Sequence, residues 1–203
     1  GMTSFPSPLN FGSTWDPELI EKVGDVIRRQ MRAVGSHQGL APVSDVARDA
    51  RWGRIEETVG EDPYLVGTMV SHYVKGLQGK DLKKGVIATL KHFAGYSFSE
   101  GGRNMAPAHV GRREFMDIFL TPFEMAIKEG GALSVMNAYQ DFDGEAPAAS
   151  HWLLTEILRE AWGFNGIVVA DYGAVSFLRY FHYVAEDRQT AAAMALKAGL
   201  DVE

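Results

Sequence analysis

A carboxylate that follows a buried strand is the residue of this sequence best placed to do chemistry. Asp171 comes directly after the apolar run Ile167–Ala170, so its side chain is expected to emerge at the mouth of the core. Such a carboxylate can attack an anomeric carbon and leave as a glycosyl ester, provided that a neighbouring cation keeps it ionised. From the residues alone, Asp171 serves equally well as a helix cap or as an acceptor for backbone N–H groups.

Lys91 and His92 place an ammonium group and an imidazole at the end of another apolar run, Val86–Leu90. Both side chains can donate hydrogen bonds to vicinal hydroxyls, and both can hold a nearby carboxylate ionised. Two other interpretations stay open. His92 can pack in the core while Lys91 is solvated, or Lys91 can form a Schiff base with a carbonyl substrate, as in aldolases.

The stretch Arg48–Arg54 is dense in charge and is followed by further acidic residues, Glu56, Glu57, Glu61 and Asp62. Surface ion pairs explain most of these charges. Trp52 and Gly53 directly before Arg54 nevertheless suggest a folded loop that aims a guanidinium group. The planar fork of arginine suits a bidentate grip on adjacent hydroxyls or on a carboxylate.

The remaining candidates are two tyrosines and a short acidic segment. Tyr139 and Tyr172 can supply an apolar wall and a phenol to a pocket, or they can be core aromatics with satisfied hydroxyls. The segment Asp141–Gly144 resembles the start of a calcium loop, but the further ligands of that pattern do not follow in register. The histidines show no metal-ligand spacing. The sequence therefore predicts neither a metal nor a cofactor.

Composition limits the classes of partner. The 203 residues carry a net charge of −6, so the chain shows no basic character that would indicate nucleic acid or an anionic membrane as a partner. No apolar run approaches the length of a membrane-spanning helix. Cysteine is absent, which excludes disulfides and thiolate chemistry and leaves the compartment open.

Short apolar runs alternate with helical patterns along the chain. Strands are predicted at Gly39–Val43, Val86–Leu90, Ala132–Met136, Ile167–Ala170 and Gly199–Val202, with Pro8–Phe11 as an optional sixth. Helices are predicted at Pro17–Met31, Leu65–Leu77, Arg113–Lys128 with a kink at Pro122, Ser150–Leu158 and Ala191–Ala198. This alternation indicates an α/β fold with a parallel sheet, and we expect one domain over residues 1–203.

Polar residues follow four consecutive strands: Ser44 and Asp45, Lys91 and His92, Asn137 and Tyr139, and Asp171 and Tyr172. The C-terminal ends of parallel strands face the substrate both in barrels and in open α/β sheets. We favour a (β/α)8 barrel because no glycine-rich phosphate loop follows the first strand, and a doubly wound sheet is the alternative.

Read together, these segments resemble glycoside hydrolase family 3, the β-glucosidase and β-xylosidase family. The matching segments occur in order from about Phe5 to Glu203. They are APVSDVARDARWGR (Ala41–Arg54), Glu57, GEDPY (Gly60–Tyr64), GLQG (Gly76–Gly79), KHFAGY (Lys91–Tyr96), SVMNAY (Ser134–Tyr139), WGF (Trp162–Phe164) and VVADYGAV (Val168–Val175). Two departures are Tyr172, where many members have tryptophan, and Ala170, where many have serine.

The resemblance implies a role for each matched position. Asp171 matches the family's nucleophile, and Arg54, Lys91 and His92 match the residues that grip the hydroxyls of the sugar. Tyr139 matches a tyrosine beside the nucleophile. Met136 and Tyr172 match residues that line the same pocket. The implied activity is retaining hydrolysis of terminal non-reducing β-linked glucose or xylose.

The resemblance also implies parts that this sequence does not supply. In the family the acid/base comes from a following domain or an inserted loop, and a first strand precedes the segment that begins at Thr3. We therefore expect an incomplete barrel, little hydrolysis by residues 1–203 alone, and pairing of two chains through the open barrel edge. A non-catalytic sugar-binding or structural role for the isolated chain is the alternative.

Overall fold

Four parallel strands form the sheet at the centre of the computed structural model, which describes residues 2–203. They are β1 (Gln38–Gly39), β2 (Ile87–Phe93), β3 (Ser134–Asn137) and β4 (Ile167–Val169). The strands pair in chain order, and each neighbouring pair is parallel. Among these strands the order never reverses, whereas a doubly wound sheet has a switch point where it does. The arrangement is part of a TIM-type barrel, so the barrel prediction is confirmed.

Helices connect the strands and cover one face of the sheet. They are α1 (Pro8–Gly12), α2 (Pro17–Ala33), α3 (Pro63–Gln78), α4 (Arg112–Glu114), α5 (Thr121–Lys128), α6 (Ala174–Tyr180) and α7 (Arg188–Ala198). The segments Phe115–Leu120 and Trp152–Ala161 are π-helical, and short 3₁₀ turns occupy Ile55–Glu57, Leu82–Lys84, Glu100–Gly102 and Pro147–Ala149. The side chains of Asp16, Asp62 and Asp187 cap α2, α3 and α7 by accepting from the N–H three residues on. Within residues 2–203, no helix is long and apolar enough to span a membrane.

Several predicted elements differ from the structure. The segment Pro8–Phe11 is helical and not a strand, because Pro8 occupies the first turn of α1, where its missing N–H is not needed. The strand predicted at Gly39–Val43 is reduced to β1 and an isolated bridge between Val43 and Lys91. The strand predicted at Gly199–Val202 contributes one bridge, between Val202 and Val169. Pro122 lies where the π-helical segment changes into α5.

The outer face of the sheet is apolar and packs under the helices. Ala88, Leu90, Val135 and Val168 are fully buried and belong to one hydrophobic cluster. Helices α2 and α3 pack closely at Gly76, where an added Cβ atom would lie only 2.1 Å from a backbone oxygen of α2. The close approach is possible because glycine has no side chain. This packing holds β2 and β3 firmly from one side, so their polar ends are presented from a rigid support.

The inner face of the sheet carries the strand residues that alternate with those of the outer face, and it includes buried polar side chains. Thr89 on β2 pairs in register with Ser134 on β3. The side-chain amide of Gln38 donates to both hydroxyls, at 3.0 and 3.2 Å. Lys91 and Met136 lie two residues further along the same strands, and alternation places them towards the C-terminal rim of this inner face.

Candidate active site

The C-terminal ends of β2, β3 and β4 bring the predicted site residues to one rim. Leu90 pairs with Val135 and Phe93 pairs with Asn137, so Lys91 and His92 together lie opposite Met136. β2 therefore has one more residue than β3 in this interval, which is a β-bulge. Bulges change the direction of side chains at the edge of a sheet. The bulge explains how two successive residues of β2 can both reach the site.

Asp171 lies two residues beyond the end of β4, and its carboxylate is held by donors on one oxygen. Oδ1 accepts from the hydroxyl of Tyr139 at 2.9 Å and from the backbone N–H of Tyr172 at 2.8 Å. The backbone N–H of Asp171 donates to Oδ1 of Asn137 at 3.3 Å. Oδ2 faces Nε2 of His92 at 3.7 Å, beyond direct hydrogen-bond length. The second carboxylate oxygen is therefore the one left available for chemistry.

His92 is buried and is fixed by a second aspartate. Oδ2 of Asp45 lies 2.8 Å from Nδ1 of His92 and accepts the backbone N–H of the same residue at 3.1 Å. The edge of the Tyr96 ring packs against the imidazole, with centroids 4.8 Å apart. The ring is thus held between Asp45 and Asp171, with one nitrogen directed at each carboxylate.

Lys91 is partly buried beside the same carboxylates. Burial lowers the pKa of its amine below the usual value, and the positive charge of Arg54 acts in the same direction. The negative charges of Glu57, Asp171 and Asp45 oppose that shift, which places all three within electrostatic range of the ammonium group.

Arg54 is held by Glu57 in a bidentate pair. Nε and one terminal nitrogen of the guanidinium lie 2.7 Å from the two carboxylate oxygens. The hydrogen bonds from Arg54 lower the pKa of Glu57, and the charges of Lys91 and His92 add to that effect. The guanidinium carbon lies 5.5 Å from the ring centroid of Tyr96, which contacts Trp52 edge-on. The guanidinium of Arg54 is thus held in place by its ion pair with Glu57 and by the rings of Trp52 and Tyr96.

Tyr139, Met136 and Tyr172 surround Asp171 in different ways. The hydroxyl of Tyr139 also contacts the carbonyl oxygen of Tyr172 at 2.8 Å, and burial together with the bond to Asp171 raises the pKa of Tyr139. Met136 is buried on β3 at the position that pairs with Val169. The side chain of Tyr172 is 77% exposed, so its described contacts with the site are made by its backbone.

Three neighbours of the site were not predicted as functional. All three lie in segments that resemble the family, but the resemblance assigns a role to none of them. The signal for Asp45 was its position after an apolar run, which is the same signal that identified Asp171. Among residues 2–203, no group of three or more His, Asp or Glu side chains is arranged to hold a metal ion.

The chemical character of this rim is clear from its charges. Three carboxylates, Asp45, Glu57 and Asp171, alternate with the nitrogen groups of Arg54, Lys91 and His92. Arginine, lysine and histidine donors beside a carboxylate suit a neutral ligand that carries several hydroxyls. A carboxylate held through one oxygen, with no hydrogen bond to the other among residues 2–203, suits nucleophilic attack.

Comparison with known proteins gives consistent matches over the chain. The family description "Glycosyl hydrolase family 3 N terminal domain" matches residues 1–203. A β-xylosidase of Formosa agariphila is 43% identical over 99% of this chain and 28% of its own length, and a periplasmic β-glucosidase of Salmonella typhimurium is 35% identical over 98% and 26%.

Solved structures of β-glucosidases have the same fold. A β-glucosidase from Erythrobacter marinus superposes with a TM-score of 0.97 at 37% identity, and covers 100% of this chain and 27% of that one. A β-glucosidase from Listeria innocua in complex with glucose gives 0.95 at 33% identity, over 99% and 28%. The chain spans about a quarter of the length of these relatives.

Proposed function

The chain belongs to glycosyl hydrolase family 3, and from that membership we propose that the protein is an exo-acting, retaining β-glycosidase with Asp171 as its nucleophile. Its substrates are glycosides and small oligosaccharides with terminal non-reducing β-linked glucose or xylose. The observation that carries the proposal is the carboxylate of Asp171, whose Oδ1 accepts two hydrogen bonds while Oδ2 lies 3.7 Å from Nε2 of His92 without a hydrogen bond to it.

The two oxygens of Asp171 have different roles in this proposal. Oδ2 attacks the anomeric carbon as the glycosidic bond breaks, and a covalent glycosyl ester forms. Oδ1 becomes the carbonyl oxygen of that ester and can keep both of its donors, Tyr139 and the N–H of Tyr172. Water then attacks the same carbon and releases Asp171, so two inversions retain the configuration.

The cationic groups bind the hydroxyls of the sugar. Lys91 and Arg54 carry charged donors beside the same carboxylates, and Nε2 of His92 is the ring nitrogen that does not contact Asp45. Met136 and the rings of Tyr139 and Tyr172 supply the apolar wall on which a sugar's C–H face can pack. Glucose and xylose differ by one hydroxymethyl group, and the relatives include enzymes named for each sugar.

A retaining glycosidase also needs a protonated carboxyl group about 5–5.5 Å from the nucleophile. Glu57 does not suit that role, because its pairing with Arg54 lowers its pKa and keeps it ionised. Asp45 does not suit it either, because its Oδ2 already accepts both donors of the buried His92. We propose that the acid/base belongs to a part of the protein outside this chain, and that residues 1–203 alone hydrolyse glycosides poorly.

One observation favours a second chemistry. The lowered pKa of Lys91 would assist Schiff-base formation with a carbonyl substrate. Against it, three carboxylates lie within electrostatic range and stabilise the charged amine. Borohydride reduction in the presence of small aldehydes and ketones distinguishes the two, and we expect no covalent adduct at Lys91.

Replacement of the nucleophile tests the proposal directly. Asp171→Asn, in the protein expressed from its complete gene, keeps the shape of the side chain and removes the charge that attacks. We expect turnover of aryl β-glucosides and β-xylosides to fall by at least about 10³-fold, as for loss of a group that forms the covalent intermediate. Asp117→Asn, an exposed change of the same kind on the outer surface, should be inert. Normal turnover by Asp171→Asn would end the assignment.

A further inference from the structure

We propose that Asp45 is a positioning residue for the glycosidase reaction, acting through His92; the inference rests on the proposed function. Asp45 follows the isolated bridge between Val43 and Lys91, at the same rim as Asp171. Its side chain is completely buried, so it does not touch a ligand in the cleft. Its effect on the reaction must therefore pass through a residue that it contacts.

The contacts of Asp45 are concentrated on His92. A single oxygen, Oδ2, lies 3.1 Å from the backbone nitrogen and 2.8 Å from Nδ1 of that residue. The contact with the backbone nitrogen fixes the position of the main chain at His92, and the contact with Nδ1 fixes the side-chain torsion angles that orient the ring. A carboxylate oxygen accepts hydrogen bonds, so the contact selects the tautomer that carries its proton on Nδ1.

The consequence is a defined face for the imidazole. With Nδ1–H directed at Asp45, Nε2 is directed at Oδ2 of Asp171, the oxygen that attacks in the proposed mechanism. A ring rotated by half a turn would direct a carbon atom there instead. The edge contact with Tyr96 restricts the tilt of the ring but does not distinguish the two orientations that differ by half a turn. Asp45 makes that choice.

The burial of Asp45 argues against a purely structural role. Its other oxygen, Oδ1, is buried and has no hydrogen-bond partner within residues 2–203. A buried carboxylate with an unpaired oxygen reduces the stability of a fold. Retaining that cost is expected where the charge orients a group of the active site.

The test compares Asp45→Asn with the double variant Asp45→Asn/His92→Ala in the complete protein, using aryl β-glucosides and β-xylosides. We expect Asp45→Asn to lower kcat by about 10- to 100-fold, with a smaller change in KM, as for partners that orient an active-site histidine. In the His92→Ala background the same change should alter kcat less than about twofold. Ser44→Ala, at a neighbouring buried hydroxyl that has no hydrogen-bond partner in the described part of the chain, is the matched control and should retain activity.

A structural role predicts other results. Equal losses of kcat with and without His92, or losses that follow a lowered thermal midpoint, would overturn the proposal. The tautomer can also be measured without any variant of Asp45. Histidine ¹⁵N shifts, with His92 assigned by its replacement, should show a protonated Nδ1, and a spectrum with only Nε2–H would overturn the proposal. Failure of the proposed function is seen separately, as undiminished turnover by Asp171→Asn.

Discussion

Removal of one hydroxyl tests whether the hold on Oδ1 of Asp171 matters for the reaction. Tyr139→Phe deletes the donor that lies 2.9 Å from Oδ1 and leaves the aromatic ring in place between Tyr96 and Phe177. The backbone N–H of Tyr172 still donates to the same oxygen at 2.8 Å. The variant therefore loosens the carboxylate without releasing it.

The size of the effect follows from these contacts. A hydrogen bond to a charged group contributes about 1.5–3 kcal/mol, which corresponds to about 10- to 150-fold in rate. The hydroxyl of Tyr139 has one proton and two acceptors, Asp171 at 2.9 Å and the carbonyl of Tyr172 at 2.8 Å. The bond to Asp171 is therefore shared, and we expect the lower end, a loss of about tenfold in kcat/KM.

The assay is steady-state hydrolysis of aryl β-glucosides and β-xylosides by the complete protein. Tyr180→Phe is the matched control, because its hydroxyl is bonded to Arg179 at an exposed position of α6. A change below about twofold for Tyr139→Phe would show that Oδ1 needs no second donor. A loss above about 10³-fold exceeds what one shared hydrogen bond can supply, and would assign Tyr139 a direct chemical role.

Two further predictions concern Lys91 and the open sheet. The pKa of Lys91 is lowered in the folded protein, so the unfolded chain binds the proton of the ammonium group more tightly. The protonated amine therefore reduces the free energy of unfolding at neutral pH, and this loss of stability fades as pH rises towards the usual pKa of lysine. Lys91→Met should therefore lose activity yet unfold at an equal or higher temperature than the wild type at neutral pH. The difference in unfolding temperature should shrink above about pH 10. A large loss of stability of the variant at neutral pH would contradict the lowered pKa. Residues 1–203 produced alone should dimerise through the open barrel edge, and a monomeric mass by light scattering at micromolar concentration would refute that.

Strand ends were the most informative feature of the sequence. The runs Val86–Leu90 and Ile167–Ala170 are rich in apolar residues, and each is followed at once by a charged residue, so the rim position of Lys91 and Asp171 could be predicted. Parallel pairing of the strands, and with it a common edge, followed from the alternation with helices. These two points fit a barrel and an open α/β sheet equally, and the absence of a glycine-rich phosphate loop after the first strand favoured the barrel, which the sheet order confirms.

Contacts between distant residues could not be predicted from one sequence. Asp45 and His92 are 47 residues apart, and neither local pattern indicates that one side chain turns its buried carboxylate to the other. The bulge that lets both Lys91 and His92 reach the site arises from the register between β2 and β3. Short helices such as α6 were not predicted, for another reason. Helix α6 has only seven residues after the left-handed Gly173, which gives a periodicity too brief to recognise.

Covalent labelling of the nucleophile tests the central claim most directly. A β-glycoside with an activated leaving group and fluorine at C2 forms the glycosyl ester faster than water removes it, because the leaving group needs no acid and fluorine destabilises the positively charged transition state. After incubation with the complete protein, peptide mass spectrometry should place one sugar on Asp171. A label on Glu57, on Asp45 or on no carboxylate of this rim would contradict the account.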